Sequence, residues 1–291
     1  MDETRTAPHS AATRPQEALP DDAFELVGAG WREHRPALRR PGWRQRLARL
    51  PLLPLCLLLL LVLGCLCAPW LANHDPAEFY LADRNTPPGS RFFFGTDSLG
   101  RDIYSIIWFG GRASLLLAVA AIVISIVFGI GIGLISATKR NSIFDSVSMV
   151  LALVGLSIPP FYLGLMLMLI FCVILKWLPI TAEVSFVGMI LPSLTLSARS
   201  LATIARMTRS SMLEVMSQDY ILTAKAQGFN SRKIIFSHAL KNAMNSIVTV
   251  AGIQFGTLLG GSVITEKVYG WPGLGELVIT AIKARDFPVV Q

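Results

Sequence analysis

Charged residues are scarce in this chain of 291 residues. Asp, Glu, Lys and Arg make up 15% of it, against about 25% in an average soluble domain. Hydrophobic residues make up 53% and lie in long apolar runs. This composition excludes a disordered chain and a nucleic-acid-binding domain, and it is typical of a protein that crosses a membrane several times. A lipid membrane is therefore its expected surroundings, and nucleic acid is not an expected partner.

Cysteine is also scarce, and chemical motifs are missing. The four cysteines lie inside apolar runs without the spacing of zinc ligands, which excludes a disulfide-stapled secreted module. No nucleophile–base pair, metal-ligand cluster or phosphate-cradling Gly-Lys-Ser/Thr loop is present. The sequence therefore predicts a non-catalytic protein without cofactor or metal. A membrane enzyme would need paired polar groups within the spans, and a secondary transporter would need ion-coupling acids there; the core spans have neither.

The first 50 residues have the composition of a tail. Residues 1–30 are rich in Ala, Pro, Thr, Asp and Glu without an apolar period, which predicts disorder. Residues 31–50 carry seven arginines against a single acid, Glu33. We expect this basic segment to lie against anionic lipid headgroups on the cytoplasmic side.

Five apolar segments follow, and each is predicted to be a transmembrane helix. They are residues 51–72, 113–137, 146–175, 186–205 and 243–265. The first contains Leu63-Gly64-Cys65, which resembles the end of a lipoprotein signal. The long segment before it argues against that interpretation, because signals have a short basic region. Basic residues number fifteen in the predicted inner segments and seven in the outer ones, which places the N-terminus inside and the 73–111 loop outside.

Two features within the spans indicate a possible translocation path. Pro159-Pro160 interrupts the third span and predicts a kink or break, because both residues lack a backbone donor and a proline disfavours a helical residue before it. Such a break is tolerated in a membrane where neighbours or a water-lined cavity satisfy the freed carbonyls. Gly252, Gly256 and Gly260 share one face of the fifth span, which predicts close helix packing. A merely kinked, packed helix is the alternative.

The polar block 206–241 contains a specific pattern. It reads Gln218-Asp219-Tyr220-Ile221-Leu222-Thr223-Ala224-Lys225-Ala226-Gln227-Gly228-Phe229, followed by Arg232-Lys233-Ile234-Ile235-Phe236-Ser237-His238. Gly228 is predicted to end one short helix, and Asn230 or Ser231 to begin the next. The block resembles the cytoplasmic coupling loop of ABC-importer permeases of the dipeptide, oligopeptide and nickel family. Leu222-Thr223 stand where that loop has Glu-Ala. An ordinary solvated basic linker is the alternative.

The resemblance implies a role for the named residues of this loop. A short helix ending at Gly228 would dock in a groove of an ATPase subunit, with contacts from basic side chains and Tyr220. The implied contact residues are Asp219, Tyr220, Thr223, Ala224, Lys225, Ala226, Gly228, Phe229, Arg232, Lys233 and His238.

Two further stretches resemble the same family. The first is an outer-segment motif, in which an acid is expected to cap and pin a short surface helix; its residues are Gly95, Thr96, Asp97, Gly100, Arg101 and Asp102. It resembles the C-type of the two paired permeases. The second, 265–275, resembles the outer loop after the fifth helix, and the stretch from Leu153 onward resembles the B-type. The chain stops where the family's sixth span is expected to begin, so a fragment or a missing helix is expected.

The resemblance covers roughly residues 50–291 and implies an all-α, polytopic bundle of the type I ABC importer kind, with a core domain over 112–291. It implies a transport subunit of the bacterial inner membrane for di- or oligopeptides. The implied partners are a second permease in a heterodimer or homodimer, two ATP-binding subunits and an extracytoplasmic substrate-binding protein. Nickel chelates or another small solute remain alternative cargoes, and a truncated, non-functional scaffold remains an alternative function.

Overall fold

The computed structural model describes four stretches of the chain: residues 24–27, 30–33, 52–179 and 184–290. The chain divides into two compact units, residues 1–56 and 57–291. In the first unit, Phe24–Val27 (β1) and Gly30–Glu33 (β2) form an antiparallel pair. The rest of the predicted tail, 1–50, lies outside the described residues, so its disorder and its contact with headgroups stay predictions.

The described residues from 52 onward are mainly helical, which confirms the predicted all-α bundle for this part of the chain. The helices are α1 (Leu52–Leu66), α2 (Ala68–Leu71), α3 (Ile103–Thr138), α4 (Ile143–Ser157), α5 (Pro160–Met168), α6 (Phe186–Met216), α7 (Asp219–Ala226), α8 (Ser231–Lys233), α9 (Leu240–Gly261), α10 (Val263–Tyr269), α11 (Leu274–Ala284) and α12 (Phe287–Val290). Wider π-type turns cover Leu169–Ile174, after α5, and Ile234–Ala239, between α8 and α9.

Three helices are long and apolar enough to cross a membrane: Ile103–Thr138, Phe186–Met216 and the continuous stretch Ser231–Gly260. A fourth span results if Ile143–Ser157 and Pro160–Ile174, which meet at 102°, cross the membrane together. By length and composition, three or four of the about five predicted spans are therefore found among the described residues.

The first predicted span, 51–72, accounts for the difference in number. Its helix α1 has 15 residues and is about 22 Å long at 1.5 Å per residue, whereas the hydrocarbon core of a bilayer is about 30 Å thick. Pro69 lies in the first turn of α2, and a proline has no backbone N–H to continue the preceding helix. The apolar run is therefore divided into two shorter helices.

The break at Pro159-Pro160 is confirmed. Pro159 has an extended backbone and Pro160 begins α5, as expected because a residue before proline avoids the helical region and proline suits a first turn. The chain bends by 102° at this point.

Helices α3 and α6 form the centre of the bundle, with α9 packed against both. Their backbones approach closely at Gly133, where an added Cβ would lie 2.5 Å from the carbonyl oxygen of Ala205 and 2.6 Å from the Cβ of Thr208. The core between these helices is apolar and includes Leu117, Ile204 and Ile247. This packing fixes α6, the helix that leads into the predicted coupling loop.

Candidate functional site

The predicted coupling loop begins with α7, which is held to the bundle by one apolar face. Ile221 and Ala224, three residues apart, are buried, as expected for neighbours on one face of a helix. Most of its remaining side chains, including Tyr220 and Leu222, are exposed. Helix α7 is therefore attached to the bundle on one face and exposed on the other.

The turn after α7 has the predicted geometry. Gly228 has a φ of +76°, the left-handed conformation that glycine adopts without a steric penalty. The N–H of Gly228 donates to the carbonyl of Lys225 at 3.0 Å, and the N–H of Phe229 donates to that of Ala224 at 3.3 Å. These two bonds define a Schellman motif. The side chain of Asn230 then caps α8 by accepting from the N–H of Arg232, so the expectation for Gly228 and for the next N-cap is confirmed.

Several predicted contact residues are brought together around Phe229. Its ring stacks on His238 with centroids 5.8 Å apart, and the Nζ of Lys233 lies 4.4 Å from the ring centroid, a cation–π distance. At the other end of the loop, Asn242 Nδ2 donates to the hydroxyl of Tyr220 at 2.6 Å. Most of the predicted set is exposed, whereas His238 is half-buried and Ala224 is buried. Ala224 therefore supports the loop from inside rather than offering a contact surface.

Sequence reasoning missed an ion pair beside this loop. Asp145, at the start of α4, accepts two hydrogen bonds from the guanidinium of Arg209 in α6, at 2.6 and 2.8 Å. The available signal was the Ser142-x-x-Asp145 spacing, which is typical of a helix N-terminus. Ser142 does cap α4, but the spacing gives no indication of Arg209, 64 residues away.

The predicted path residues lie on two open surfaces. Pro159 and Pro160 are exposed at the bend between α4 and α5. Gly252, Gly256 and Gly260 are exposed along α9, and no atom lies within 4 Å of a Cβ added at any of them. The expected close packing of these glycines is therefore not made by the described residues of this chain.

The outer-segment motif organises the loop before α3. One carboxylate oxygen of Asp97 accepts from the N–H groups of Leu99 and Arg101, and the other accepts from the guanidinium of Arg101 at 2.8 Å. Gly95 and Gly100 have φ angles of +79° and +81°. This arrangement agrees with the expected pinning of the segment.

The motif ends by starting a long helix. The side chain of Asp102 accepts from the N–H of Ser105 and so caps α3, while the backbone of Thr96 pairs with that of Asp102. The expected short surface helix is thus corrected to one of 36 residues. It begins ten residues before the predicted span, because the residues from Ile103 to Arg112 continue the helix without being uniformly apolar.

A buried carboxylate holds the 265–275 stretch. Glu266 is fully buried, and its oxygens accept from the hydroxyl of Ser262 and from the N–H of Gly275, both at 2.7 Å. The indole N–H of Trp271 donates to the carbonyl of Ala113 at 3.1 Å. The turn between α10 and α11 is therefore fastened to α3.

A cavity of about 770 Å³ lies between the 73–111 loop, α3 and α11. Its lining is mainly apolar, with Arg101, Arg112 and Glu276 among its polar members. None of the predicted path residues lines it. The two surfaces that carry the predicted path residues are thus separate from this cavity, and they are open rather than enclosed.

The bundle is that of a membrane-spanning protein, and sequence comparison identifies its family. Residues 129–291 match the family described as "Binding-protein-dependent transport system inner membrane component", so the chain belongs to that family. Residues 46–88 match the N-terminal transmembrane domain of oligopeptide transport permease C. This second match agrees with the resemblance of the nearby outer-segment motif, Gly95 to Asp102, to a C-type permease.

Curated relatives are similar to this chain over part of their own length. The glutathione transport system permease protein GsiC of Salmonella choleraesuis (strain SC-B67) is 46% identical over 178 residues, which are 61% of this chain and 58% of that protein. GsiC of Escherichia coli (strain K12) is 45% identical over the same shares. The chain therefore matches less than two thirds of the length of these relatives. The crystal structure of an amino acid ABC transporter with histidines aligns with a TM-score of 0.49 and 18% identity, over 63% of this chain and 82% of that one.

Proposed function

We propose that this chain is a permease subunit of an ATP-driven ABC importer, that its cargo is a di- or oligopeptide, and that the 206–241 loop couples it to ATP-binding subunits. The observation that carries the proposal is the exposed helix α7, which is fixed to the bundle by Ile221 and Ala224 and ended by the Gly228 turn. A helix that is firmly based and freely exposed suits docking in a groove of a partner. Membership of the binding-protein-dependent transport family supports the same function.

The subunit would perform no covalent chemistry. ATP would be bound and hydrolysed by two partner subunits, whose closure displaces α7 and, through the continuous backbone, α6 and α9. A substrate-binding protein would deliver cargo on the opposite side. In this arrangement the basic 31–50 segment and the loop lie in the cytoplasm, the 73–111 loop lies outside, and the protein is embedded in a bacterial inner membrane.

The translocation path would form where the open surfaces of this chain meet a second permease. Exposed residues recur along α9 at Asn245, Thr249, Gly252, Gly256 and Gly260, which puts polar and small side chains on one face of a membrane span. Such a face is unfavourable against lipid and favourable against another helix or a water-filled path. The bend at Pro159 offers a second open surface.

Cargo is proposed from the relatives. GsiC proteins are named for glutathione transport, and glutathione is a small peptide, so a peptide cargo is favoured over a nickel chelate. Uptake of radiolabelled glutathione, a dipeptide mixture and a nickel–histidine chelate into proteoliposomes containing the whole complex would separate these cargoes.

The coupling assignment is tested by co-purification with the ATP-binding subunits. Leu222→Glu places a charge on the exposed face of α7, and Leu81→Glu places the same charge on an equally exposed leucine of the 73–111 loop. We expect Leu222→Glu, and deletion of 218–232, to lose the ATP-binding subunits, whereas Leu81→Glu retains them. Retention by the Leu222→Glu chain and by the deletion would refute the assignment and favour a scaffold.

A further inference from the structure

The Asp145–Arg209 ion pair joins helices α4 and α6 through two residues that are 64 positions apart in the sequence. The Oδ1 of Asp145 accepts from Arg209 Nε at 2.6 Å, and its Oδ2 accepts from Arg209 Nη2 at 2.8 Å. This is the bidentate arrangement that fixes the planes of a carboxylate and a guanidinium relative to each other. The Asp145 side chain is 4% exposed and that of Arg209 is 26% exposed, so water has little access to the contact.

Two further donors reach the same carboxylate. The hydroxyl of Ser136, in the last turn of α3, donates to Oδ1, and the backbone N–H of Asn141 donates to Oδ2 at 3.0 Å. Ser136 is fully buried. A single side chain thus ties together the end of α3, the start of α4 and the side of α6.

Helix α4 packs along α6 but contributes few fully buried residues. Of its 15 residues, only Asp145 and Ala152 are buried, while apolar residues such as Ile143 and Leu151 are exposed. Segments with few buried contacts are the ones that move at low cost. The ion pair is therefore the principal fixed point at the beginning of this helix.

Each residue of the pair lies on a helix that leads to one part of the proposed mechanism. Arg209 precedes the end of α6 at Met216 by seven residues, about 10 Å of helix, and the coupling helix α7 begins at Asp219. On the other side, α4 runs from Asp145 directly to the 102° bend at Pro159.

We propose that Asp145 and Arg209 are positioning residues that transmit displacement of the coupling loop to α4 and so to the bend at Pro159. This inference rests on the proposed function. Displacement of α7 moves the end of α6 and carries Arg209 with it. Because the two parallel hydrogen bonds resist sliding and rotation, Asp145 follows, and α4 moves as one body. Without the pair, the start of α4 would lose its only buried polar link to α6 among the described residues and would no longer follow Arg209.

The experiment measures the movement of α4 within the complete complex in nanodiscs. Spin labels replace two exposed residues, Leu151 on α4 and Val127 on α3, in a chain whose four native cysteines are replaced. The distance between the labels is measured without nucleotide and with ATP trapped by vanadate. We expect ATP to change this distance, and Arg209→Gln to abolish the change. Arg140→Gln, an exposed arginine at the same end of the bundle, is the matched control and should leave the change intact.

Co-purified ATP-binding subunits show that each variant is assembled. In assembled Arg209→Gln complexes we expect the stimulation of ATP hydrolysis by the binding protein to fall at least about fivefold, the lower end of ordinary coupling between sites. Asp145→Asn combined with Arg209→Gln should be no worse than either change alone, since both remove one interaction. Arg209→Lys keeps the positive charge but cannot donate two parallel hydrogen bonds, so we expect a distance change of intermediate size. This variant keeps the inference testable if the Asp145→Asn chain fails to assemble.

Three results would overturn the inference: no ATP-dependent distance change in the otherwise unchanged chain, a full change in assembled Arg209→Gln or Arg209→Lys, or additive losses in the double variant. Absence of the ATP-binding subunits from the otherwise unchanged chain would instead overturn the proposed function, so the two failures are distinguishable.

Discussion

The coupling assignment can be tested by adding a single methyl group at Gly228. Gly228 has a φ of +76°, and no atom lies within 4 Å of an added Cβ. Replacement by alanine therefore costs only the backbone strain of a left-handed residue, about 1–2 kcal/mol. Because the space around it is open, no packing defect is added. A free energy of this size corresponds to a factor of about 5–30 in an equilibrium constant.

We expect Gly228→Ala to weaken binding of the ATP-binding subunits by up to that factor. Gly228→Val should be worse, because a β-branched residue tolerates positive φ least, whereas Gly228→Asn should be mildest, because asparagine visits this conformation more readily. The assay is titration of detergent-solubilised permease with the ATP-binding subunits, together with thermal unfolding of the permease alone. Gly131→Ala, in an ordinary helical position with open space around it, controls for the loss of a glycine.

The order of the three variants is the decisive result. Equal affinities for Gly228→Val and the unchanged chain would mean that the turn does not shape the docking surface. Equal loss in Gly228→Asn and Gly228→Val would mean that glycine is needed for close approach of the partner rather than for its φ angle. Either result would refute the conformational argument.

The remaining predictions concern packing, the buried acid and the path. Gly133→Ala should destabilise the bundle by about 1–3 kcal/mol through overpacking, whereas Gly131→Ala should not; thermal unfolding in detergent compares them, and equal melting temperatures would contradict the close contact. Glu266→Leu should lower the same melting temperature, because leucine has no oxygen to accept from the buried N–H of Gly275; an unchanged temperature would show that the carboxylate is not needed. Gly256→Phe should block uptake while the ATP-binding subunits stay bound, and unimpaired uptake would remove this face from the path.

Local signals predicted the Gly228 turn and the proline break well. A glycine followed by Asn230 specifies a helix end and the next N-cap within a few residues. Two adjacent prolines likewise act on their own neighbours, so the 102° bend at Pro159 needs no knowledge of the rest of the bundle. The Asp145–Arg209 pair could not be found in this way, because it depends on how α4 lies against α6.

Hydropathy misjudged the helices for a different reason. It reports how much of a segment suits lipid, not where the backbone hydrogen bonds begin and end. Helix α3 therefore starts ten residues before its apolar run, at the cap supplied by Asp102. The first predicted span shows the opposite error, because its helix is shorter than its apolar run. The run is apolar throughout, but Pro69 divides the helix.

The glycine face of α9 shows what a single chain's structure adds to a sequence pattern. The four-residue spacing predicts close packing, and Gly133 on α3 shows what such packing looks like when it is made, with a backbone oxygen only 2.5 Å from an added Cβ. At Gly252, Gly256 and Gly260 the same measurement finds open space. Glycine in a helix costs up to about 1 kcal/mol relative to alanine, so a row of three that packs against none of the described residues argues for a close approach by a partner outside that part of the chain. The proposed second permease, with cargo passing between the two subunits, would satisfy that requirement and would account for the polar residues on the same face.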